Sequence, residues 1–472
     1  MQTSNKSGII LFPHKKTGGD VCMEELYQKT ITIKKLKDYF TPYLVLLTKP
    51  SGKKLFLLLL AMMTIQFTTS INHLFKWFLS DICDISLNSY YYLLSYTAIP
   101  LDAFLKITVK LALSLITQQM YGLPVFLIID DTLQAKFGTK FACYQTMFDH
   151  AKHGGNQYLK GHCFVAMTIG VPVAIGCKVR YLNVPVGFRL RGEGENKLKI
   201  ASKMIECAME VLASYPMAIL LCDSWYPKGD VLKVVKKHAN LELIANARSD
   251  TSIFDLKPQR TGKPGRPATK GKQLDIHNDF HFIGVGDYFI AASTALTSLF
   301  GSMPVYLTVT TPDIAKHGAY RVFICTILPV KLLQQFKGYE TMISDNMTSK
   351  MVWTFPLFLY SFRWAVEVFI YEQKTFWSFG LYRLRSKAGI ENFVNFSALC
   401  YSCMMMLPHM DAHYGTLVNE SPQTCKYLFG EAIRRELFLW RFINRSEEPI
   451  NSDALFINFD VFGVYNTFLN TG

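Results

Sequence analysis

At 472 residues, half of them apolar and 18% charged, the chain has the composition of a folded protein with room for roughly two to four domains, which excludes a disordered polymer. A formal net charge of +14 and a pI near 9.1 draw it to polyanions, nucleic acid first and anionic membrane second. The 11 cysteines, odd in number and scattered, fit reduced thiols and argue against a disulfide framework.

No cleavable signal peptide is expected, since the short apolar stretch Ile9 to Phe12 runs straight into Lys15 and Lys16. From residue 24 to 120, apolar residues at spacings of three and four, as at Leu36, Tyr39 and Phe40, predict helices. Residues 1–120 therefore read as an N-terminal helical domain, with DNA binding its expected role on the chain's positive charge. Its basic cluster Lys34, Lys35 and Lys37 either lies on DNA phosphates or is a solvated helix face. The apolar run Leu55 to Ile65 falls short of the about 20 residues that a membrane span needs. It reads as a buried core helix, and no membrane partner is expected.

The pattern changes at Pro124. Val125 to Ile129 is a short β-branched run that ends on Asp130-Asp131-Thr132, which predicts a buried strand running into a loop. Two strands follow, Cys163 to Val173 and Ala174 to Val179, linked through Gly170 and Pro172, then a helix over Asn196 to Ala213. Ala218 to Cys222 is a second short apolar strand that ends on an aspartate, Asp223. A helix over Lys228 to His238 and a strand over Leu243 to Ala247 complete an α/β unit, 121–250. Residues 251–350 are turn-rich and strand-rich, with Phe280–Val285, Tyr288–Ala292, Val305–Thr310 and Arg321–Leu328 as β. Helical periodicity returns over Phe355 to Gln373 and Ile390 to Leu407, so 351–410 rejoins the α/β unit, and 411–472 has no assigned role. Cys400 and Cys403 form one CxxC without a second pair at zinc spacing and read as core thiols.

Two buried strands that each end on an aspartate meet a helix carrying Tyr360, Arg363, Glu367 and Lys374. Offsets of three, four and seven put all four on one helix face. Glu367 stands among Ala365, Val366, Val368 and Phe369, where a carboxylate needs a partner and a metal serves. Two hard cations held by carboxylates clamp the attacking and leaving oxygens of a phosphodiester displacement. Aspartates at adjacent strand ends reach the crevice where open α/β sheets hold their sites.

At these residues the chain resembles the DDE-class insertion-sequence transposases with a ribonuclease-H-like core, in the branch defined by Tyr-x2-Arg-x3-Glu-x6-Lys. Tyr360, Arg363, Glu367 and Lys374 match that signature in spacing. The strand into Asp130-Asp131-Thr132 resembles the first block, aspartate followed by any residue and then threonine, which favours Asp130 and leaves Asp131 open. Leu220-Leu221-Cys222-Asp223-Ser224 resembles the second block, and the strand ending in Arg248 resembles the basic strand that often follows it. The resemblance covers about residues 120 to 400.

It implies an α/β fold with a ribonuclease-H-like catalytic core (121–250 and 351–410) interrupted by a β-rich insertion (251–350). Asp130, Asp223 and Glu367 would be the catalytic and metal-binding residues for two Mg²⁺ or Mn²⁺ ions. Tyr360, Arg363 and Lys374 would contact DNA phosphates, with structural pairing to Glu367 or Glu372 as the alternative. The implied partners are transposon-end and target DNA and a second copy in a synaptic homodimer, in the cytoplasm and at the nucleoid when bound to DNA. A nuclease without strand transfer and a transposase-derived DNA-binding protein are the alternatives.

Members that cut through a DNA hairpin stack a flipped base on an insertion tryptophan. No Trp lies between Arg248 and Met351 here, so either Phe336 or Tyr339 substitutes or the hairpin route does not apply. Arg260, Lys263, Arg266, Lys270 and Lys272 punctuate a Gly- and Pro-rich stretch, and Arg248 and Arg266 are expected on phosphates. Trp364, Phe369, Tyr371, Phe376 and Trp377 surround Glu367, as core or as a stacking surface. His150, His153 and His162 lie near the first strand pair, with a structural role the leading expectation for each.

Overall fold

Strands of apolar, β-branched residues line up first because every backbone group of a buried segment must find a partner. The computed structural model describes residues 23–66, 70–149, 157–248, 250–258, 268–316, 319–339, 349–445, 455–457 and 460–462. The strands are β1 (Val125–Ala135), β2 (Gln145–Phe148), β3 (Tyr158–Ile175), β4 (Lys178–Leu190), β5 (Ala218–Cys222), β6 (Leu241–Ala247), β7 (Ile253–Phe254), β8 (Gln273–Leu274), β9 (Ile283–Val285), β10 (Tyr288–Thr297), β11 (Val305–Thr311) and β12 (Arg321–Cys325). They form one open mixed sheet in the order β2-β3-β1-β5-β6-β12-β11-β10-β7-β8, with β4 against β3 and β9 against β10.

The sheet changes character at β1. On one side β3 and β4 are antiparallel; on the other β5 and β6 run parallel to β1. Parallel neighbours need crossovers, and the helices Lys197–Leu212 and Gly229–Lys237 supply the connections into β5 and β6. Asn196 caps the first of these, its side-chain oxygen accepting the Leu198 N–H at 2.9 Å.

Two expected strand limits are corrected. β1 does not stop at the aspartates. It continues to Ala135 because β3 keeps pairing with it, Asp130 opposite Ala166 and Ala135 opposite Gly161; only the parallel partner ends, at Ile129 opposite Cys222. The hairpin turns at Gly176 and Cys177, between β3 and β4, and not at Gly170 and Pro172. Gly176 supplies the positive φ (58°) of the turn, and Pro172 is tolerated in β3 beyond the last residue paired with β1, Gly170.

The 251–350 strands extend the same sheet, since β12 adds antiparallel to β6. The N-terminal helices pack against helices from the C-terminal part of the chain. Lys49–Thr64 carries the apolar run, with Leu55 to Thr64 all buried, and an all-round apolar helix must be covered on every side. Thr32–Leu44, Leu87–Ser95, Lys387–Met410 and Pro422–Arg445 supply the cover, so C-terminal helices complete the N-terminal layer. Among the described residues no helix is long and apolar enough to cross a membrane. Cys400 and Cys403 are buried core thiols on the Lys387–Met410 helix.

A bulge fixes this long helix to the sheet. The β3–β4 register shifts at Met167/Thr168, opposite Gly187 at φ 145°. Asn395 then accepts the Phe188 N–H and donates to the Phe188 carbonyl, both at 2.9 Å. A Cβ at Gly187 would sit 2.7 Å from the Asn395 Oδ1, so the close approach needs glycine.

Candidate active site

Ile129 and Cys222 are the last residues that pair across β1 and β5. The next residue of each is an aspartate, so Asp130 and Asp223 emerge side by side where the parallel ladder opens. Asp130 is mostly buried, its Oδ1 accepting the Asp131 N–H at 2.8 Å and its Oδ2 an Arg363 N–H at 3.0 Å. Asp223 accepts the Trp225 N–H at 3.0 Å. Burial, and then the charge of Asp223, push the Asp130 carboxyl up to about 7 against the pull of Arg363. Burial likewise raises Asp223, opposed by the Trp225 N–H and reinforced by Asp131. Two desolvated carboxylates that repel each other are a place prepared for positive charge.

Arg363 provides one such charge. Its guanidinium bonds Asp130 and also Glu367, four residues on, so two of the three acidic candidates are connected through an arginine, and its charge also acts on Asp223. The helix that carries them is not continuous. Phe355–Tyr360 passes through a tighter turn, Ser361–Arg363, into Trp364–Phe376. Asp130 and Asp223 fit a hard cation as adjacent oxygen donors, and Glu367 is a third on the far side of Arg363. Among the described residues no three His, Cys, Asp or Glu side chains form a group that could hold a metal ion as they stand.

The other signature residues have protein partners. Lys374 donates to the Leu133 carbonyl at 2.9 Å from an exposed position, and the Tyr360 ring packs edge-on to Phe323 at 5.0 Å. Glu372 accepts the Tyr401 hydroxyl. Arg248 forks onto Asp250 at 3.0 and 3.1 Å in an exposed turn after β6. Arg266, like Arg260 and Lys263, lies outside the described residues, as do His150 and His153. Lys272 pairs with Asp279. In the N-terminal cluster Lys35 pairs with Asp411 and Lys37 rests over the Tyr27 and Phe56 rings, leaving Lys34 exposed.

Asp131 faces away from Asp130 and is held by other partners. Successive strand residues face opposite ways, and Asp131 accepts both oxygens' bonds from Lys197 (2.9 and 3.0 Å) and one from Tyr226 (3.0 Å). His162 is structural: fully buried, bonded to the Tyr382 hydroxyl at 2.5 Å and the Ala142 carbonyl at 2.9 Å, with burial pulling its ring down to about 4. Phe336 is also fully buried, against Phe355, and offers no stacking face; Tyr339 is tied to the Gln119 carbonyl at 2.7 Å. Among the aromatics near Glu367, Phe369 and Trp377 are core, whereas Trp364 and Tyr371 are exposed.

One group escaped the sequence reading. Trp225, exposed beside Asp223, lies under the ammonium groups of Lys228 (3.7 Å to the ring centroid) and Lys197 (4.8 Å). A tryptophan two residues past the second aspartate, followed by a lysine three residues on, was the available signal. No protein-family model matches the chain, and no curated protein matches it in sequence.

Proposed function

We propose that the chain is a DNA transposase that cuts and rejoins DNA at element ends, with Asp130, Asp223 and Glu367 as ligands of two Mg²⁺ or Mn²⁺ ions. One observation carries this: two desolvated aspartates at the open end of adjacent parallel strands, of which Asp130 is linked to Glu367 by Arg363. The strand order β4-β3-β1-β5-β6, antiparallel on one side of β1 and parallel on the other, supports a ribonuclease-H-like core, and the strands β7 to β12 support an insertion within it.

When bound, the cations neutralise the aspartate pair and polarise the oxygens of a phosphodiester displacement. The chain's own residues do the rest. Asp130 and Asp223 are held rigid by the ladder and by the Asp131 and Trp225 N–H groups. Arg363, a planar fork, keeps Asp130 and Glu367 in register and matches a phosphate in shape when a carboxylate leaves it. Lys374, exposed one to two turns beyond Glu367, adds a point charge for the same backbone.

The test is cleavage, with Mg²⁺ or Mn²⁺, of DNA that carries the sequences flanking this chain's own coding sequence. Glu367→Gln should bind that DNA as wild type does and cleave it about 100-fold less or worse, since even outer-shell partners of a metal are worth up to about that factor. Equal cleavage by both proteins overturns the assignment of Glu367. End-specific binding without cleavage by either identifies a DNA-binding protein, and cleavage without joining of a precut 3′ end identifies a nuclease.

A further inference from the structure

Lys228 is half-buried, and among the described residues its ammonium has no carboxylate or carbonyl partner. It is seated instead on the Trp225 ring. That ring is anchored beside the carboxylates by its own backbone N–H, which Asp223 accepts. The group lies toward the face of β1 opposite Arg363, for Lys197, which also meets the ring, reaches across to Asp131. Burial first, and then the nearby Arg248 and Lys197 charges, lower the Lys228 ammonium from its ordinary value. The helix Gly229–Lys237 begins one residue on, so its positive end is at the same edge of the sheet.

Among the described residues this ammonium, crowded by Arg248 and Lys197, is offset in charge by Asp223 and Asp250 without bonding to either, and its one direct seat is the ring. Its surroundings match an anion that arrives from outside. We propose that Lys228, carried on the Trp225 ring, binds a backbone phosphate of the DNA on the β5 side of the Asp130–Asp223 pair, across the site from Arg363. This rests on the DNA-processing reading above. It assigns the site two phosphate grips, one on each face of β1, and makes Trp225 a positioning residue.

The experiment measures affinity for a short blunt DNA duplex, without divalent metal, at several salt concentrations. Each phosphate contact contributes about 0.9 to the slope of log affinity against log salt. Lys228→Gln should therefore lower the slope by about one, so that wild type loses ~3-fold more affinity than the variant between about 50 and about 200 mM salt. Trp225→Leu, which keeps the lysine but removes its seat, should weaken binding in the same direction, while Trp225→Phe should retain most of it. An unchanged slope in Lys228→Gln, or wild-type affinity in Trp225→Leu, overturns the inference; if Glu367-dependent cleavage persists in those proteins, the functional reading stands. A wild-type protein without affinity for the duplex overturns both.

Discussion

Asp130 is ionised at a cost in the metal-free protein, and that cost has a pH signature. Its folded value, about 7, lies above the ordinary aspartate value of about 3.9, so between those limits the folded state holds the proton more tightly than the unfolded chain. Stability from this group is thus fully present below the unfolded value, falls as pH rises through the window, and levels off above about 7. Asp130→Asn removes the titration. In metal-free protein at pH 8 it should stabilise the fold by about 1–3 kcal/mol, the gain being reduced by the weaker pairing left to Arg363. At pH 4 the gain should vanish. Denaturant melts at the two pH values check this, and a variant less stable than wild type at pH 8 would show that the Arg363 pair outweighs the burial and the Asp223 repulsion.

At the scale of elements, the helix Thr32–Leu44 begins without a side-chain cap of its own, and the orphan N–H groups of its first turn are satisfied from far along the chain. Glu436, almost fully buried on the Pro422–Arg445 helix, accepts the Thr32 and Ile33 N–H groups at 2.6 and 2.9 Å. Glu436→Ala leaves both donors buried and unpaired and should cost about 2–4 kcal/mol, whereas Glu436→Gln keeps an acceptor and should cost less than half of that. Thermal melts of the two variants compare them directly; equal losses would mean that side-chain volume matters here and the cap does not.

Contacts of this kind also mark what was legible in the sequence. Ala218–Cys222 was readable to the residue, because a strand buried on both faces is an unbroken apolar run, here bounded by Pro216 just upstream and by Asp223. The helix read over Asn196 to Ala213 matches Lys197–Leu212 to within a residue at each end. The polar half of β1 was not, since its pairing is dictated by β3 and not by its own side chains. The β3–β4 turn was missed because Gly170 and Pro172 are louder signals than Gly176, while the antiparallel ladder tolerates both. The acidic residues were legible as a set, but the Arg363 fork between Asp130 and Glu367 and the Trp225–Lys228 stack depend on how distant segments meet. Period-two alternation alone would have separated Asp131 from Asp130.

At the scale of the molecule, the Glu367 helix, the sheet and the helical layer share one core cluster, and helices from the N-terminal and C-terminal parts of the chain are interleaved in it. Lys49–Thr64 is covered by Pro422–Arg445 on one side and Lys387–Met410 on another; Arg434 reaches the Thr64 carbonyl at 2.9 Å, and the buried Lys426 donates to Gln66 and Phe376 carbonyls. Phe376 is the last residue of the helix that carries Glu367, so the C-terminal helix braces the site as well as the layer. Removing residues 422–472 should therefore do more than shorten the protein. It would expose the apolar Lys49–Thr64 face, a contiguous patch of the size that drives association, and free the end of the Glu367 helix. The truncated chain should aggregate, or bind a hydrophobic dye and lose its cooperative melt while keeping helical circular dichroism. A truncated monomer that melts cooperatively would mean that the N-terminal helices and the sheet are stable without the C-terminal helix.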